Sequence, residues 1–162
     1  MRRFLLVFLL ACSAVVPAGA QAVFDMVLES AMRVVNNPMS GYMQTQVAQF
    51  KRTALVYIKQ KSFEQKAEVD TEFLDTQAYY LSEFLTRFFA QVVSDASLLE
   101  AARKAHIQIF MQASLANPLF GDEDHETVHA YVLDGSEVTP FSLDTDWERA
   151  YAFVTSQEAQ LR

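Results

Sequence analysis

A long stretch of this chain contains none of the residues that usually interrupt helices. Between Tyr42 and Asn117 there is neither glycine nor proline, while alanine, leucine, glutamine, glutamate and lysine are common. These residue types favour helix, and glycine and proline are the strongest local breakers. The composition therefore predicts an all-α protein, a compact single-domain bundle of five to six helices.

Apolar residues recur at three- and four-residue steps within and before this stretch. One stripe, from Phe24 to Val35, predicts a first helix that Asn36-Asn37-Pro38 ends. A second stripe, from Met43 to Ile58, predicts the next helix. For the polar residues from Lys59 to Asp70 two interpretations stay open, a frayed helix end and a solvent-exposed extension.

The widest stripe runs from Phe73 to Val93 and is rich in aromatic residues. Asp70 or Thr71 can cap its start, and Glu72 lies near the positive end of the helix dipole. A stripe of this width is typical of a helix with several neighbours, so we expect this helix to be the central one.

Two further helices are indicated in the second half of the chain. Ser97 and Glu100 have the spacing of a capping box, which predicts a helix from Leu98 that Asn117-Pro118 stops. Its apolar face is expected to carry small residues at Ala102, Ala105 and Ala113. Asp144 is expected to begin the last helix, and the residues expected to face inward are Trp147, Tyr151 and Val154.

Residues 126–143 allow two structures. They can form a short β-hairpin with Asp134-Gly135 in the turn. They can also contain a short helix that Asp122 caps and Gly135 closes. The helix is favoured, because the elements before it already form a helical layer.

The N-terminus resembles an export signal. Arg2 and Arg3 precede an apolar run from Phe4 to Val16, and Ala18-Gly19-Ala20 offers a cleavage site. We therefore expect residues 1–20 to be a cleaved signal peptide and residues 21–162 to be one helical domain, periplasmic or secreted, without a transmembrane segment. A lipid anchor at Cys12, the only cysteine, is the alternative.

The charge excludes some partners. Without Arg2 and Arg3 the chain keeps 11 of its 13 basic residues and all 20 acidic ones, a formal charge of −9. Such a charge repels nucleic acid and anionic membranes.

The charged residues are unevenly distributed along the chain. The basic residues Lys51, Arg52, Lys59, Lys61 and Lys66 lie close together in sequence, and carboxylates dominate residues 117–162. The favoured interpretation is that both blocks form solvated faces. The alternative is that the acidic block is a docking face for a basic protein partner, with Asp122, Glu123 and Asp124 as the binding residues.

One pattern carries catalytic chemistry. His125-Glu126-Thr127-Val128-His129 reads H-E-x-x-H and resembles the core motif of zinc metallopeptidases. The resemblance implies that His125 and His129 bind zinc and that Glu126 is the general base. Asp144, Asp146 or Glu148 would then supply a third ligand. The resemblance covers only these five residues, and two ordinary surface histidines are the competing interpretation.

Methionines at 26, 32, 39 and 43 offer a copper site in principle, because thioethers bind Cu(I). Their spacing does not gather them on one helix face. We therefore expect them to fill gaps in the core.

Three functions follow from the sequence, in decreasing order of support. The first is a non-enzymatic protein-interaction module that acts through the acidic C-terminal third. The second is a carrier of an apolar small molecule or lipid, suggested by the many aromatic residues of the third helix. The third is a zinc-dependent hydrolase, and without it no cofactor is expected.

Overall fold

The helices predicted from the apolar stripes are present in the computed structural model, which describes residues 22–66, 70–93, 99–121 and 141–160. These ranges contain five α-helices: α1 Val23–Asn36, α2 Tyr42–Lys66, α3 Thr71–Phe88, α4 Glu100–Leu115 and α5 Trp147–Gln160. A π-helical turn, Phe89–Val93, continues α3. No strand occurs within the described ranges, so the prediction of a helical fold is confirmed.

Some predictions fall on other parts of the chain. The proposed signal peptide, residues 1–20, lies outside the described residues, and so does Cys12. Residues 126–140, the greater part of the alternative hairpin, lie outside them as well. Residues 141–143 are described and are not a strand.

The central position predicted for α3 is confirmed. Asp70 caps this helix, and its side chain accepts a hydrogen bond from the Phe73 N–H at 3.1 Å. The helix packs against α1, α2 and α5, and its π-helical continuation packs against α4. Its buried residues, which lie at helical spacing, are Leu74, Gln77, Ala78, Leu81, Phe84, Leu85 and Phe88.

The aromatic residues of the core form a dense cluster of edge-to-face contacts. The Phe84 ring centroid lies 5.1 Å from that of Phe110, 5.2 Å from that of Phe141 and 5.3 Å from that of Trp147. Phe88 makes the same kind of contact with Phe141 at 4.9 Å. Rings at these separations prefer this geometry, and the cluster joins α3, α4 and α5.

The second helix is longer than its apolar stripe. It continues without interruption to Lys66, so the extension is helical rather than frayed. Most of its described side chains are exposed, which agrees with the interpretation as a solvent-exposed extension, although Ser62 is buried.

The starts of α4 and α5 differ from the predicted positions. Helix α4 begins at Glu100 with Leu99 at the N-cap and no side-chain cap, so the predicted start at Leu98 is wrong, while Ser97 lies outside the described residues. Helix α5 begins at Trp147 rather than at Asp144. The cap of α5 is Asp146, whose Oδ1 accepts from the Arg149 N–H at 3.2 Å.

A tertiary contact explains the later start of α5. The Asp144 carboxylate accepts a hydrogen bond from the Phe120 N–H at 2.8 Å, and its carbonyl accepts one from the Leu119 N–H at 3.3 Å. Asp144 therefore ties the segment before α5 to the segment after α4. It is buried in this position and does not cap the helix.

The buried face of α4 also differs from the prediction. Its buried residues are Phe110, Ala113 and Ser114, whereas Ala105 is exposed. A hydroxyl network explains why a serine is tolerated here: Ser114 Oγ lies 2.7 Å from Thr145 Oγ1 and accepts from the Ser142 N–H at 3.0 Å. Buried polar groups persist where they are hydrogen-bonded in this way.

The methionines do not fill the core. Met26, Met32, Met39 and Met43 are all exposed, with Met39 the most open at 88%. Helix α1 buries Phe24 and Ala31 instead, and its methionines lie on other faces. The prediction that these side chains are gap-fillers is therefore wrong.

Candidate functional site

The residues that the sequence singled out for binding or catalysis lie outside the described part of the chain. They are Asp122, Glu123, Asp124, His125, Glu126 and His129. Among the residues that are described, no group of histidine, cysteine and carboxylate side chains could hold a metal ion. In the same residues, no helix is long and apolar enough to cross a membrane.

Two of the three carboxylates suggested as a third zinc ligand, Asp144 and Asp146, have structural partners. Asp144 binds the Phe120 N–H, as described above. Asp146 caps α5, accepts from Gln77 Nε2 at 3.3 Å and pairs with the Arg149 guanidinium at 3.3 Å. Glu148 is exposed in the first turn of α5.

A cavity formed by described residues lies away from the aromatic cluster. Phe84, Phe88, Phe110, Phe141 and Trp147 are almost entirely shielded from solvent and pack ring against ring. A cleft of about 360 Å³ opens instead between α1, α2 and the C-terminal end of α3. This volume falls in the range of small-molecule sites, about 300–1,000 Å³.

Apolar side chains form most of the cleft wall. They come from all three helices and are Ala31, Val34, Val47, Ala48, Leu85 and Phe89. Ser30, Gln44 and Thr86 add hydroxyl and amide groups at the wall. An apolar wall with a few polar groups is the usual composition of a site that orients a small ligand.

Two features of the chain hold the walls in place. The Phe24 N–H, in the uncapped first turn of α1, donates to Asp75 Oδ1 of α3 at 2.8 Å. This bond satisfies a free helix N–H and fastens α1 to α3. At the cleft itself, the π-helical turn begins at Phe89, directly after buried Phe88, and Phe89 lines the cleft. Single π-helical turns are frequent at functional sites.

Among the described residues that line the cleft, Lys51 carries the charged side chain. Its ammonium Nζ donates a hydrogen bond to Ser82 Oγ of α3 at 3.1 Å. Burial lowers the pKa of Lys51 below its usual value, and the nearby Glu83 carboxylate offsets only part of that effect. A desolvated amine beside an apolar cleft is a common feature of functional sites.

Lys51 is the residue that sequence reasoning missed. It belongs to the basic group interpreted as a solvated face, but its side chain is partly buried and its Nζ donates to Ser82 Oγ of α3. A signal was nevertheless present. Lys51 lies four residues after Val47 and four before Leu55, so it occupies a position of the apolar stripe of α2.

A second depression, along the last turns of α1, is less suited to hold a ligand. It is larger, at about 590 Å³, but it is shallow and open to solvent. Its charged residues, Glu29 and Arg33, pair with each other at 3.2 Å and are both well exposed. Exposed pairs of this kind contribute little energy, so nothing here points to a ligand.

Comparison with known proteins adds no relative. No protein-family model, no curated protein and no solved structure matches this chain.

Proposed function

We propose that this protein is an exported, non-enzymatic helical carrier that binds a small amphiphile in the cleft between α1, α2 and α3. Of the three functions expected from the sequence, it is the one that the geometry of the described residues supports best. One observation carries the proposal: a partly buried lysine amine lies at the wall of an otherwise largely apolar cleft.

The same observation defines the ligand class. The apolar wall suits a hydrocarbon body, because burying apolar surface contributes roughly 25 cal/mol per Å². The Lys51 ammonium suits a single anionic head group. Its hydrogen-bond partner Ser82 carries no charge, so an anionic ligand supplies a counter-charge to the desolvated ammonium. A fatty carboxylate combines both properties.

Dodecanoate is the probe that tests this proposal. We expect saturable binding by calorimetry and weaker binding of dodecyltrimethylammonium, which has the same chain and the opposite charge. Hydrogen bonds to charged groups contribute about 1.5–3 kcal/mol, so Lys51→Met is expected to weaken dodecanoate binding about tenfold or more. Lys51→Arg keeps the cation and is expected to keep most of the affinity.

Lys104→Met is the matched control. Lys104 is a well-exposed lysine on α4 that pairs with Glu100, and it does not line the cleft. Equal binding of dodecanoate and dodecyltrimethylammonium by the unaltered protein would contradict the proposal without any variant. So would equal losses in Lys51→Met and Lys104→Met.

Export is a separate part of the proposal, and it has its own test. When the full sequence is expressed in a bacterial host, we expect the protein recovered from the periplasm to begin at Gln21, as intact mass and N-terminal sequencing can establish. A protein that keeps residues 1–20 and stays in the cytoplasm would contradict export. If a lipid were found on Cys12, the protein would be a membrane-anchored carrier instead.

The other two functions stay predictions. The acidic docking face, Asp122 to Asp124, and the zinc motif, His125 to His129, both lie outside the described residues. Neither gains support from the contacts of the rest of the chain.

A further inference from the structure

The arrangement of Lys51 and Ser82 at the cleft also allows covalent chemistry. Lys51 Nζ donates a hydrogen bond to Ser82 Oγ at 3.1 Å, and the surrounding wall is largely apolar. An amine in such surroundings is a nucleophile, because desolvation favours its neutral form. Lysines that form imines with carbonyl compounds are activated in the same way.

We propose that Lys51 captures an apolar aldehyde in this cleft as an imine. This inference rests on the proposed function, because the hydrocarbon body of the aldehyde occupies the same apolar wall. It narrows that function to ligands that carry a carbonyl group at the end facing Lys51.

The reaction is balanced without any further reagent. The neutral Nζ attacks the carbonyl carbon, a C–N bond forms, and the electron pair of the C=O π bond moves to oxygen. A proton leaves the nitrogen and reaches that oxygen, and the Ser82 hydroxyl, beside Nζ, is in place to pass it on. The C–O bond then breaks as the nitrogen electron pair forms C=N, and the second nitrogen proton leaves with the hydroxyl group as water, so that amine and aldehyde become imine and water.

The groups around Lys51 favour this chemistry over permanent ion pairing. On the α3 side the charged neighbour is Glu83, whose effect on the pKa of Lys51 is smaller than that of burial. On the α1 side, the described wall residues Ser30, Ala31 and Val34 carry no charge. On α2, Val47 and Ala48 precede Lys51 in the wall and are apolar.

The test is reductive trapping. The full-length protein is mixed with dodecanal and sodium cyanoborohydride, which reduces the imine to a stable secondary amine, and modified lysines are located by peptide mass spectrometry. We expect Lys51 to be modified about tenfold or more faster than exposed Lys104, because the cleft concentrates the aldehyde beside an amine that loses its proton more readily than an exposed lysine does. Glycolaldehyde, which has no hydrocarbon body, is expected to lose this preference.

Lys51→Arg tests the nucleophile itself. Arginine is not deprotonated, so this variant is expected to lose trapping at position 51, while dodecanoate binding by the unaltered protein tests the carrier function separately. Dodecanoate is also expected to compete with dodecanal in the unaltered protein. Circular dichroism and the Tm of the variant establish that it folds.

The two ligands are also expected to depend on pH in opposite directions. Trapping needs the neutral amine, so its rate rises as pH increases through the pKa of Lys51, which burial lowers. Dodecanoate binding needs the ammonium, so it weakens over the same interval.

Each outcome decides something. Faster trapping at Lys51, blocked by dodecanoate, supports the imine. Trapping at Lys51 no faster than at Lys104, with dodecanoate binding intact, overturns the imine and leaves the carrier function standing. If the protein binds neither dodecanoate nor dodecanal, both proposals fail.

Discussion

The Phe84→Ala variant is expected to lose about 4 kcal/mol of unfolding free energy, the largest effect of any substitution considered for this protein. Phe84 is fully buried on the central helix, and its ring contacts those of Phe110, Phe141 and Trp147. Truncation removes contacts to three helices or segments at once and leaves a cavity that rigid aromatic neighbours cannot fill. Since domains of this size are stable by only about 5–15 kcal/mol, the loss is a large share of the total.

Urea denaturation monitored by circular dichroism measures this loss. Tyr79→Ala provides the control, because Tyr79 is an aromatic residue on the same helix and is half exposed. We expect that control to lose less than about 1 kcal/mol, as substitutions away from the core usually do. Similar losses in the two variants would mean that the aromatic cluster does not hold α3, α4 and α5 together.

The second large effect is expected at Gln77, a buried polar residue that joins α3 to α5. Its Oε1 accepts from the Trp147 N–H at 2.9 Å, and its Nε2 donates to Asp146 Oδ1 at 3.3 Å. Gln77→Leu removes both bonds and leaves the first N–H of α5 buried without an acceptor. Leaving a buried donor unpaired costs about 1–3 kcal/mol, so we expect a loss of about 2 kcal/mol.

Gln77→Glu distinguishes a lost hydrogen bond from a change of shape. It has nearly the same shape and still accepts from Trp147, but it puts a buried carboxylate next to the Asp146 carboxylate. Uncompensated buried charge costs about 3–5 kcal/mol, so at neutral pH we expect a loss of about 3 kcal/mol.

This second loss should depend on pH, and its direction follows from linkage. Repulsion and burial raise the pKa of the new carboxyl in the folded state above its unfolded value of about 4.3. The deficit relative to the unaltered protein is therefore absent below that value and grows as pH rises through the folded-state pKa. A deficit that does not change with pH would show that Gln77 matters only through its shape.

Helices were predictable here because their signals are local. The stretch from Tyr42 to Asn117 contains no breaker, and the three- and four-residue spacing from Phe73 to Val93 identified both the central helix and its buried face. The Asp70 cap was predictable for the same reason, since the side chain bonds a backbone group only three residues away.

Positions set by distant partners were not predictable. Asp144 has the features of a helix start in the sequence, but its carboxylate accepts a hydrogen bond from the Phe120 N–H. Helix α5 therefore starts at Trp147 instead. Ser114 occupies a buried position because Ser142 and Thr145 satisfy its hydroxyl. Neither contact can be derived from spacing along one helix.

The candidate site shows the same division. Its apolar wall follows from the stripes of α1, α2 and α3, but the cleft exists only because α1 lies against α3, where Asp75 holds Phe24. Lys51 was assigned to a solvated face because blocks of charged residues usually form one. Its place in the stripe between Val47 and Leu55 was the one local sign that its side chain is partly buried.

The most direct test of the central claim, that the cleft carries a ligand with its head at Lys51, is NMR of protein labelled with carbon-13 at the lysine ε-carbons. On titration with dodecanoate, we expect the signal of Lys51, identified by its loss in Lys51→Arg, to shift and saturate at one equivalent, while that of Lys104 stays in place. Shifts confined to other lysines, or spread equally over all of them, would contradict the account.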